Sequence, residues 1–169
     1  MALVKRSDKV AFLGVPDSAG DGVTYTRMTG FTEFSRSSNP KEYSRQYVDE
    51  DFEQTDVVGF SPSFSYAFDR YTESAVHKDL VSITDNELIG SGAVRSIVIV
   101  DLSDESTSAS CPAILREFSV IPDAEGSEME AYTYSGTFKV KGEKVFGTAT
   151  TEDGWETCEF TSEQQETEG

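Results

Sequence analysis

Residues 59–71 read GFSPSFSYAFDRY, and this stretch decides the fold class. Aromatic rings stand at Phe60, Phe64, Tyr66 and Phe68, whereas the odd-numbered positions from 61 to 69 carry small or polar residues. This alternation has the two-residue period of a pleated strand with one buried face and one wetted face. The sequence therefore predicts a strand whose rings pack into a core and whose serines face water.

A short amphipathic helix and a second strand follow this first strand. Residues 72–74 are suitable helix caps, and Val76, Leu80 and Ile83 then recur at helical spacing. Residues 94–102 read VRSIVIVDL and contain four consecutive apolar residues. An unbroken apolar run of this length is typical of a strand that is covered on both faces.

The rest of the chain predicts further strands and one mainly β domain over residues 1–162. Strands are expected at 8–15, 23–28, 111–121, 129–141 and 144–151. The first two are expected to pair as a hairpin, and the last two as another, joined at residues 141–143. Residues 163–169, EQQETEG, contain no apolar side chain and predict a disordered acidic tail.

Residues 31–56 form a polar segment that carries five aromatic side chains. We interpret the segment as a long polar loop, with two solvent-exposed strands joined by a long loop as the alternative. A connection of this length inside a compact domain is normally functional. Aromatic residues in a polar stretch are typical of interface anchors, and packing into the core is the alternative for each of them.

Composition limits the classes of function. The 31 acidic and 14 basic residues give a net charge of −17, which repels nucleic acid rather than binding it. This charge fits either ordinary solubility or a surface that must stay near DNA, or near copies of itself, without adhering. Cys111 and Cys158 are expected to be buried thiols or a dispensable pair. The chain has neither an apolar leader nor an apolar run of membrane-spanning length, so we expect a soluble, cytoplasmically made protein.

The sequence offers little chemistry for catalysis. The single histidine, His77, follows Val76 on the predicted helix and is expected on the helix flank. No nucleophile elbow, phosphate-binding loop, dinucleotide fingerprint or H-E-x-x-H motif is present. Residues 17–22 superficially resemble a calcium loop, but Ala19 and Met28 stand where oxygen ligands are required. We therefore predict a structural or binding protein without metal or cofactor; a hydrolase that uses two carboxylates is a minor alternative.

The order of these segments resembles the major tail proteins, or tail tube proteins, of long-tailed bacteriophages (siphophages) that infect Gram-positive hosts. The likeness is strongest over residues 39–102, through NPKEYSRQYVDEDFEQTDVVGFSPSFSYAFDRYT, the helix AVHKDLVSITDNELIG and the strand VRSIVIVDL. The resemblance implies a β-sandwich or partly closed barrel flanked by one short α-helix. It also implies hexameric rings that stack into a hollow tail tube through which DNA is delivered.

The resemblance assigns roles to three groups of residues. The candidate lumen face comprises Ser61, Ser63, Ser65 and Asp69, with Thr133, Ser135 and Thr137 added in an alternative register. The candidate core under the helix comprises Phe60, Phe64, Tyr66, Phe68, Val76, Leu80 and Ile83. The candidate inter-subunit loop carries Phe34, Tyr43, Arg45, Tyr47 and Phe52. Lys139 and Lys141 would then lie at the rim of the bore or pair with acids of the next subunit.

The resemblance also implies partners and a location. The partners would be further copies of the chain, the tape-measure protein and viral DNA in the lumen, and the tail terminator and distal tail proteins, with no membrane. The protein would belong to the virion tail and be assembled in the host cytoplasm. The alternative is a stand-alone β-sandwich that recognises a glycan or a host surface through Tyr43, Tyr47 and Trp155, because aromatic loops provide stacking platforms.

Overall fold

The computed structural model describes residues 3–17, 20, 22–104 and 110–163. Half of the predicted turn at 17–22 and all but the first residue of the predicted tail at 163–169 therefore lie outside the described residues. The strands are β1 (Lys9–Pro16), β2 (Val23–Arg27), β3 (Phe31–Ser37), β4 (Pro40–Arg45), β5 (Gln54–Phe60), β6 (Ser63–Asp69), β7 (Val94–Asp101), β8 (Ser110–Glu125), β9 (Thr133–Val140), β10 (Val145–Thr150) and β11 (Thr157–Ser162). The helix is α1 (Ala75–Asp85), and three short 3-10 turns cover Arg6–Asp8, Gly90–Ala93 and Leu102–Asp104.

Six of these strands close into a barrel. Their order is β10-β11-β2-β1-β7-β8, and pairing between β8 and β10 completes the ring. The barrel interior is filled by side chains that include Phe12, Val98, Val100 and Trp155. It also contains the two cysteines, both buried and not joined by a disulfide, as the sequence predicts for buried thiols. Burial raises the pKa of the Cys158 thiol to about 12, so this thiol stays protonated and unreactive.

A second, four-stranded sheet packs on the outside of the barrel. It consists of the C-terminal half of β8 followed by β9, β6 and β3. Its aromatic face and α1 together cover the outer side of β1 and β7. Leu13 of β1 and Ile97 of β7 pack into the hydrophobic cluster between these layers. Val98 and Val100 of β7 face the barrel interior instead. The prediction that residues 94–102 form a strand covered on both faces is therefore confirmed.

The helix forms where the sequence places it. Ser74 caps the N-terminus, since its hydroxyl accepts a hydrogen bond from the His77 N–H at 3.3 Å. Val76, Leu80 and Ile83 are buried on one stripe of α1. A largely buried ion pair beside this stripe fixes the helix to β7: Asp79 accepts from Arg95 Nε at 2.7 Å and from Arg95 Nη2 at 3.0 Å.

The pairing of the last strands differs from the sequence prediction. The hairpin of β1 and β2 is confirmed, but β9 and β10 do not pair with each other. Both run antiparallel to the long strand β8, β9 along its C-terminal half and β10 along its N-terminal half. Residues 141–144 therefore connect two strands that lie one after the other along β8, rather than forming the turn of a hairpin. A 2.7 Å hydrogen bond from Arg116 Nε to the Gly142 carbonyl holds this connection. The sixteen-residue length of β8 makes this arrangement possible.

The polar segment at 31–56 is also more regular than predicted. Strand β3 pairs with β6 as part of the outer sheet, and only residues 46–53 remain as a loop between β4 and β5. The predicted long loop is therefore corrected to one sheet strand and one exposed hairpin. The hairpin pairs only within itself, with Arg45 bound to Asp56 at 2.6 Å. Among the described residues, neither of its strands joins the barrel or the outer sheet, so the hairpin projects as an unsupported arm.

Candidate functional site: a polar sheet face with open edges

The polar face of the four-stranded sheet gathers most of the predicted lumen residues. In the antiparallel register of β6 and β9, Ser65 lies opposite Thr137, and Asp69 lies opposite Thr133. Ala67 lies opposite Ser135 on the same face. Directly opposed residues of antiparallel strands share a face, so the two predicted sets, including Ser63, form one polar surface made mostly of small hydroxyl side chains. Which surface of an assembly this face lines stays a prediction.

Two members of this face depart from the simple pattern. Ser61 lies between β5 and β6 rather than in β6, and its N–H donates to the Asn39 carbonyl at 3.2 Å. Lys139 lies opposite Ser63, next to the end of β9, and is exposed. The single lysine on β9 therefore lies at one end of the polar face. Lys141 follows the strand.

The opposite face of the sheet is a stack of aromatic rings. Phe64, Tyr66 and Phe68 are buried, and the Tyr66 and Phe138 ring centroids lie 4.5 Å apart. Burial, assisted by the nearby charge of Asp123, raises the pKa of the Tyr66 hydroxyl to about 12. The face is therefore rigid and dry, and it fixes the orientation of the polar face above it.

Phe60 is not part of this stack. It lies in β5 of the exposed hairpin with 62% of its surface accessible, so its assignment to the core under the helix is wrong. The predicted continuous strand over 59–71 breaks at residues 61–62, where Asn39 Nδ2 donates to the Ser61 carbonyl at 3.1 Å. Asn39 itself adopts a left-handed backbone with φ of 45° just before Pro40. This corner redirects the chain from the sheet into the hairpin.

The buried His77 ties three segments together, so the expectation of a flank position is also wrong. Its Nδ1 accepts from the Tyr71 N–H at 3.0 Å, and its Nε2 donates to the Thr29 carbonyl at 2.7 Å. The ring stacks on Phe68 at a centroid distance of 4.5 Å. Burial lowers the pKa of the imidazole, with the charge of Arg70 acting in the same direction. His77 is a neutral structural link.

The four-stranded sheet has two edges that pair with no other described strand: β3 on one side and the C-terminal part of β8 on the other. The direction of the backbone shows which N–H and carbonyl groups lie on these edges. The Phe34 carbonyl of β3 accepts from Arg6 Nη2 at 2.9 Å and therefore points away from β6. Residues two apart in a strand point the same way, so the N–H of Arg36 also lies on the free edge. At the other side of the sheet, residues 120–125 of β8 lie beyond the part that pairs with β7.

The predicted inter-subunit residues fall into two groups. Tyr43, Tyr47 and Phe52 are exposed on the hairpin, whereas Arg45 is engaged within it, bound to Asp56 and donating to the Tyr47 hydroxyl at 2.9 Å. Phe34 is not on a loop. It lies in β3 and stacks on Phe64 at 4.6 Å, so its placement in the predicted loop is corrected.

The recognition-domain alternative loses one of its three aromatic platforms. Trp155 is 8% exposed and packs against Phe12 inside the barrel, with ring centroids 6.2 Å apart. Its backbone φ of 70° turns the side chain inward after a tight loop, which a single sequence does not reveal.

Among the described residues, no cluster of three or more potential metal ligands occurs. The one described α-helix, of eleven residues, is too short to cross a membrane.

Comparison with known proteins defines the fold. No protein-family model and no curated protein matches the sequence. The structure is similar to a chain in the tail of an empty GTA particle, determined by helical refinement with C6 symmetry. For this match the TM-score is 0.59 and the sequence identity is 14%, and the match covers 84% of this chain and 97% of that chain. It is also similar to a chain in the virion of a native gene transfer agent (GTA) particle, with a TM-score of 0.57, 14% identity and the same coverages. The chain therefore shares its fold with these two particle chains: it is mainly β, with a closed six-stranded barrel, additional strands and one helix.

Proposed function

We propose that this chain is the subunit of a tail tube of a long-tailed phage, and that it acts as a structural protein rather than an enzyme. The observation that carries the proposal is the four-stranded sheet, which is buried on its aromatic face, bare on its hydroxyl-lined face, and open at both edges. A sheet with open edges is a template for pairing with another chain. Copies of the same chain, arranged around an axis, satisfy both edges at once.

Ring closure by edge pairing joins the β3 edge of one copy to the β8 edge of the next. The C6 symmetry of the similar GTA tail supports a ring of six copies. Six four-stranded sheets make a barrel of twenty-four strands, which at a spacing of ~4.8 Å has a circumference of ~115 Å and a backbone diameter of ~37 Å before strand tilt widens it. Barrels of 16–18 strands already leave an aqueous channel, so this one encloses a wide bore.

The chemistry of the polar face suits the passage of a polyanion. Hydroxyl side chains on β6 and β9 offer no row of positive charges, and Lys139 stands alone near the strand end. A wall of clustered Lys and Arg binds phosphates by releasing counterions and retains DNA along its length. A hydroxyl wall on a protein with a net charge of −17 leaves DNA free to slide.

The remaining parts of the proposal follow from this role. The exposed hairpin of β4 and β5 contacts neighbouring copies, and the lumen holds the tape-measure protein and then viral DNA. The tube meets a terminator at one end and distal tail proteins at the other, and it is assembled in the host cytoplasm before becoming part of the virion. A non-contractile tail and a Gram-positive host rest on sequence resemblance alone.

Electron microscopy of the purified protein tests the proposal. We expect negative-stain images over a rising concentration series to show rings of constant diameter, sixfold in class averages, and then tubes. Analytical ultracentrifugation of the same samples measures the size of each species. A folded protein that sediments as a monomer at every concentration, with no rings in the images, contradicts the proposal.

A further inference from the structure

A groove of ≈ 500 Å³ lies away from the polar face, where the outer wall of the barrel meets the β3 side of the outer sheet. Its apolar lining comes from both layers and includes Ala11, Phe34, Phe64, Ile97, Ile99 and Phe118. Five cationic side chains also line it: Arg6, Lys9, Arg36, Arg116 and Lys144. No carboxylate is among the described residues that line this basic groove, although the whole chain carries a net charge of −17.

The cations of the basic groove are poorly neutralised. Lys9 pairs with Asp101 at 3.5 Å, but within the described part of the chain no acid lies within ion-pair distance of the other four cations. Arg6 and Arg116 donate only to backbone carbonyls. A cleft that gathers positive charge over an apolar surface is complementary to a ligand that is both acidic and apolar.

The mutual repulsion of these charges acts on the pKa values of two of them. Burial lowers the pKa of Lys144, and the charges of Arg36 and Arg116 lower it further. Burial and the charge of Arg36 likewise lower the pKa of Arg116, against a smaller opposing effect of Glu143. The cations therefore gain from an acidic partner, which no described residue lining the groove of the same subunit supplies.

The tip of the exposed hairpin has the matching chemistry. Residues 46–53, QYVDEDFE, contain four acids and two exposed apolar side chains, Val48 and Phe52. The tip is ordered from within, because Gln46 Nε2 donates to the Glu50 carbonyl at 3.0 Å and Gln54 Nε2 donates to the Glu50 carboxylate at 2.7 Å. No acid of this hairpin tip lies within ion-pair distance of a cation in the described part of the chain.

The hairpin tip cannot reach the groove of its own subunit. Arg36 and Pro62, at the base of the hairpin, already line that groove. The six residues of β4 extend about 20 Å away from this base, at about 3.3 Å per residue. Folding the tip back would break the pairing of β4 with β5. A second copy, displaced along the hairpin, presents its groove to the tip without any such break.

We propose that the hairpin tip of one subunit docks in the basic groove of a second copy, with Val48 and Phe52 on the apolar lining and the acids against the cations. The inference rests on the proposed self-assembly and names the surface that receives the arm. We infer that this contact joins one ring to the next, because β4 carries the tip about 20 Å away from β3 of its own subunit, the strand whose free edge closes a ring in the proposed function.

Charge reversal tests the docking. The groove variant is Arg36→Glu with Lys144→Glu, two side chains that make no hydrogen bond to the backbone. The tip variant is Asp49→Lys with Asp51→Lys, which leaves the Glu50 bonds intact. We expect each variant to form rings but to raise the concentration needed for tubes by about tenfold or more, because like charges then face each other. Combining all four substitutions in one chain restores tubes.

Controls separate this contact from its competitors. Glu152→Lys with Glu156→Lys, on an exposed loop, changes the net charge by the same amount as the tip variant and is expected to form tubes like the unmodified protein. A chain ending at Glu163 tests whether the acidic tail occupies the groove instead. Tubes lost on this truncation but retained in the tip variant overturn the inference, as do tubes formed normally by both charge-reversed variants. A protein that forms no ring at all contradicts the proposed function instead.

A covalent test works even without rings. We expect a chain with Val48→Cys and Ile99→Cys to give a ladder of disulfide-linked multimers on mild oxidation, because the two positions meet between copies. Either substitution alone is the control, and the native thiols of Cys111 and Cys158 are buried. A double variant that gives no more cross-linking than the single variants overturns the docking, whatever the state of the rings.

Discussion

Gly136 of β9 packs so closely beneath Tyr66 that a β-carbon on it would lie 2.7 Å from the Tyr66 hydroxyl oxygen. The same carbon would lie 2.5 Å from the backbone carbonyl oxygen of Ile121 on β8. This close approach occurs beside the bulge between Pro122 and Ala124, where β8 bends along the outer sheet. The glycine therefore lets three strands meet under the aromatic stack.

We expect Gly136→Ala to lower the free energy of unfolding by about 1–3 kcal/mol, because backbone on β8 must shift to admit the methyl group. Urea unfolding followed by tryptophan fluorescence measures the change. Gly59→Ala is the matched control, since its β-carbon would be 3.9 Å from the nearest atom, Lys41 Cδ, and the expected change is within about 0.5 kcal/mol. Equal effects of the two substitutions contradict this description of the sheet.

The free edge of β3 gives a prediction about ring closure. Arg36→Pro removes an N–H that points away from β6, which a folded edge strand tolerates but a pairing neighbour does not. We expect a folded protein that forms no rings in negative stain. Arg36→Ala removes the same guanidinium while keeping the N–H, and it is expected to retain rings. If the proline variant forms rings as readily as the alanine variant, β3 is not a pairing edge.

The hydroxyl face gives a prediction about DNA. Ser63→Lys with Ser65→Lys places two cations on the polar face, and we expect folding and assembly to persist. Assembled tubes of this variant should retain short duplex DNA in a filter-binding assay, with an affinity that falls steeply as salt rises. Ser82→Lys, on the exposed side of α1, is the control for added charge. A double variant that retains no more DNA than the Ser82→Lys control contradicts the placement of the polar face in the bore.

The neutral His77 makes stability depend on pH. Its pKa in the folded protein lies below the ordinary value of 6.5, mainly because the ring is buried, and the nearby charges of Arg70 and Asp69 act in opposite directions. Just below pH 6.5, therefore, His77 binds more protons in the unfolded chain than in the folded chain. The His77 contribution to stability is fully present above pH 6.5 and is lost progressively as the pH falls below it.

We expect the urea midpoint of the unmodified protein to fall between pH 7.5 and pH 5.5, a window above the ordinary titration range of carboxylates. His77→Gln removes the titrating group, and its midpoint should be lower but flatter over the same window. A variant that keeps the full pH dependence assigns the effect to another group.

Local patterns in the sequence predict the main elements because their causes are local. The alternation that ends at Asp69 sets the faces of β6, and the spacing of Val76, Leu80 and Ile83 sets the buried stripe of α1. The apolar run in β7 predicts two covered faces, since such a strand exposes apolar side chains unless both sides are packed. These features depend on side chains within a few residues of one another.

Pairing partners were predicted less well, because pairing depends on which strands meet in space. Residues 141–143 have the composition of a turn, yet β9 and β10 each pair with β8. Nothing in the sequence near residue 142 reports that β8 is long enough to accept both strands. Phe60 has the same parity as Phe64, but the corner at Asn39 and Ser61 separates the two strands and leaves Phe60 in water.

The sequence alone determined that the chain is mainly β, that one strand has an aromatic and a hydroxyl face, and that a polar segment rich in rings precedes it. Those properties follow from the order of neighbouring side chains. Only the tertiary structure decided that the barrel closes, that β6 and β9 share their polar face, and that five cations scattered from Arg6 to Lys144 converge on one groove. Convergence of this kind arises from contacts between residues far apart in the chain, which local periodicity does not encode.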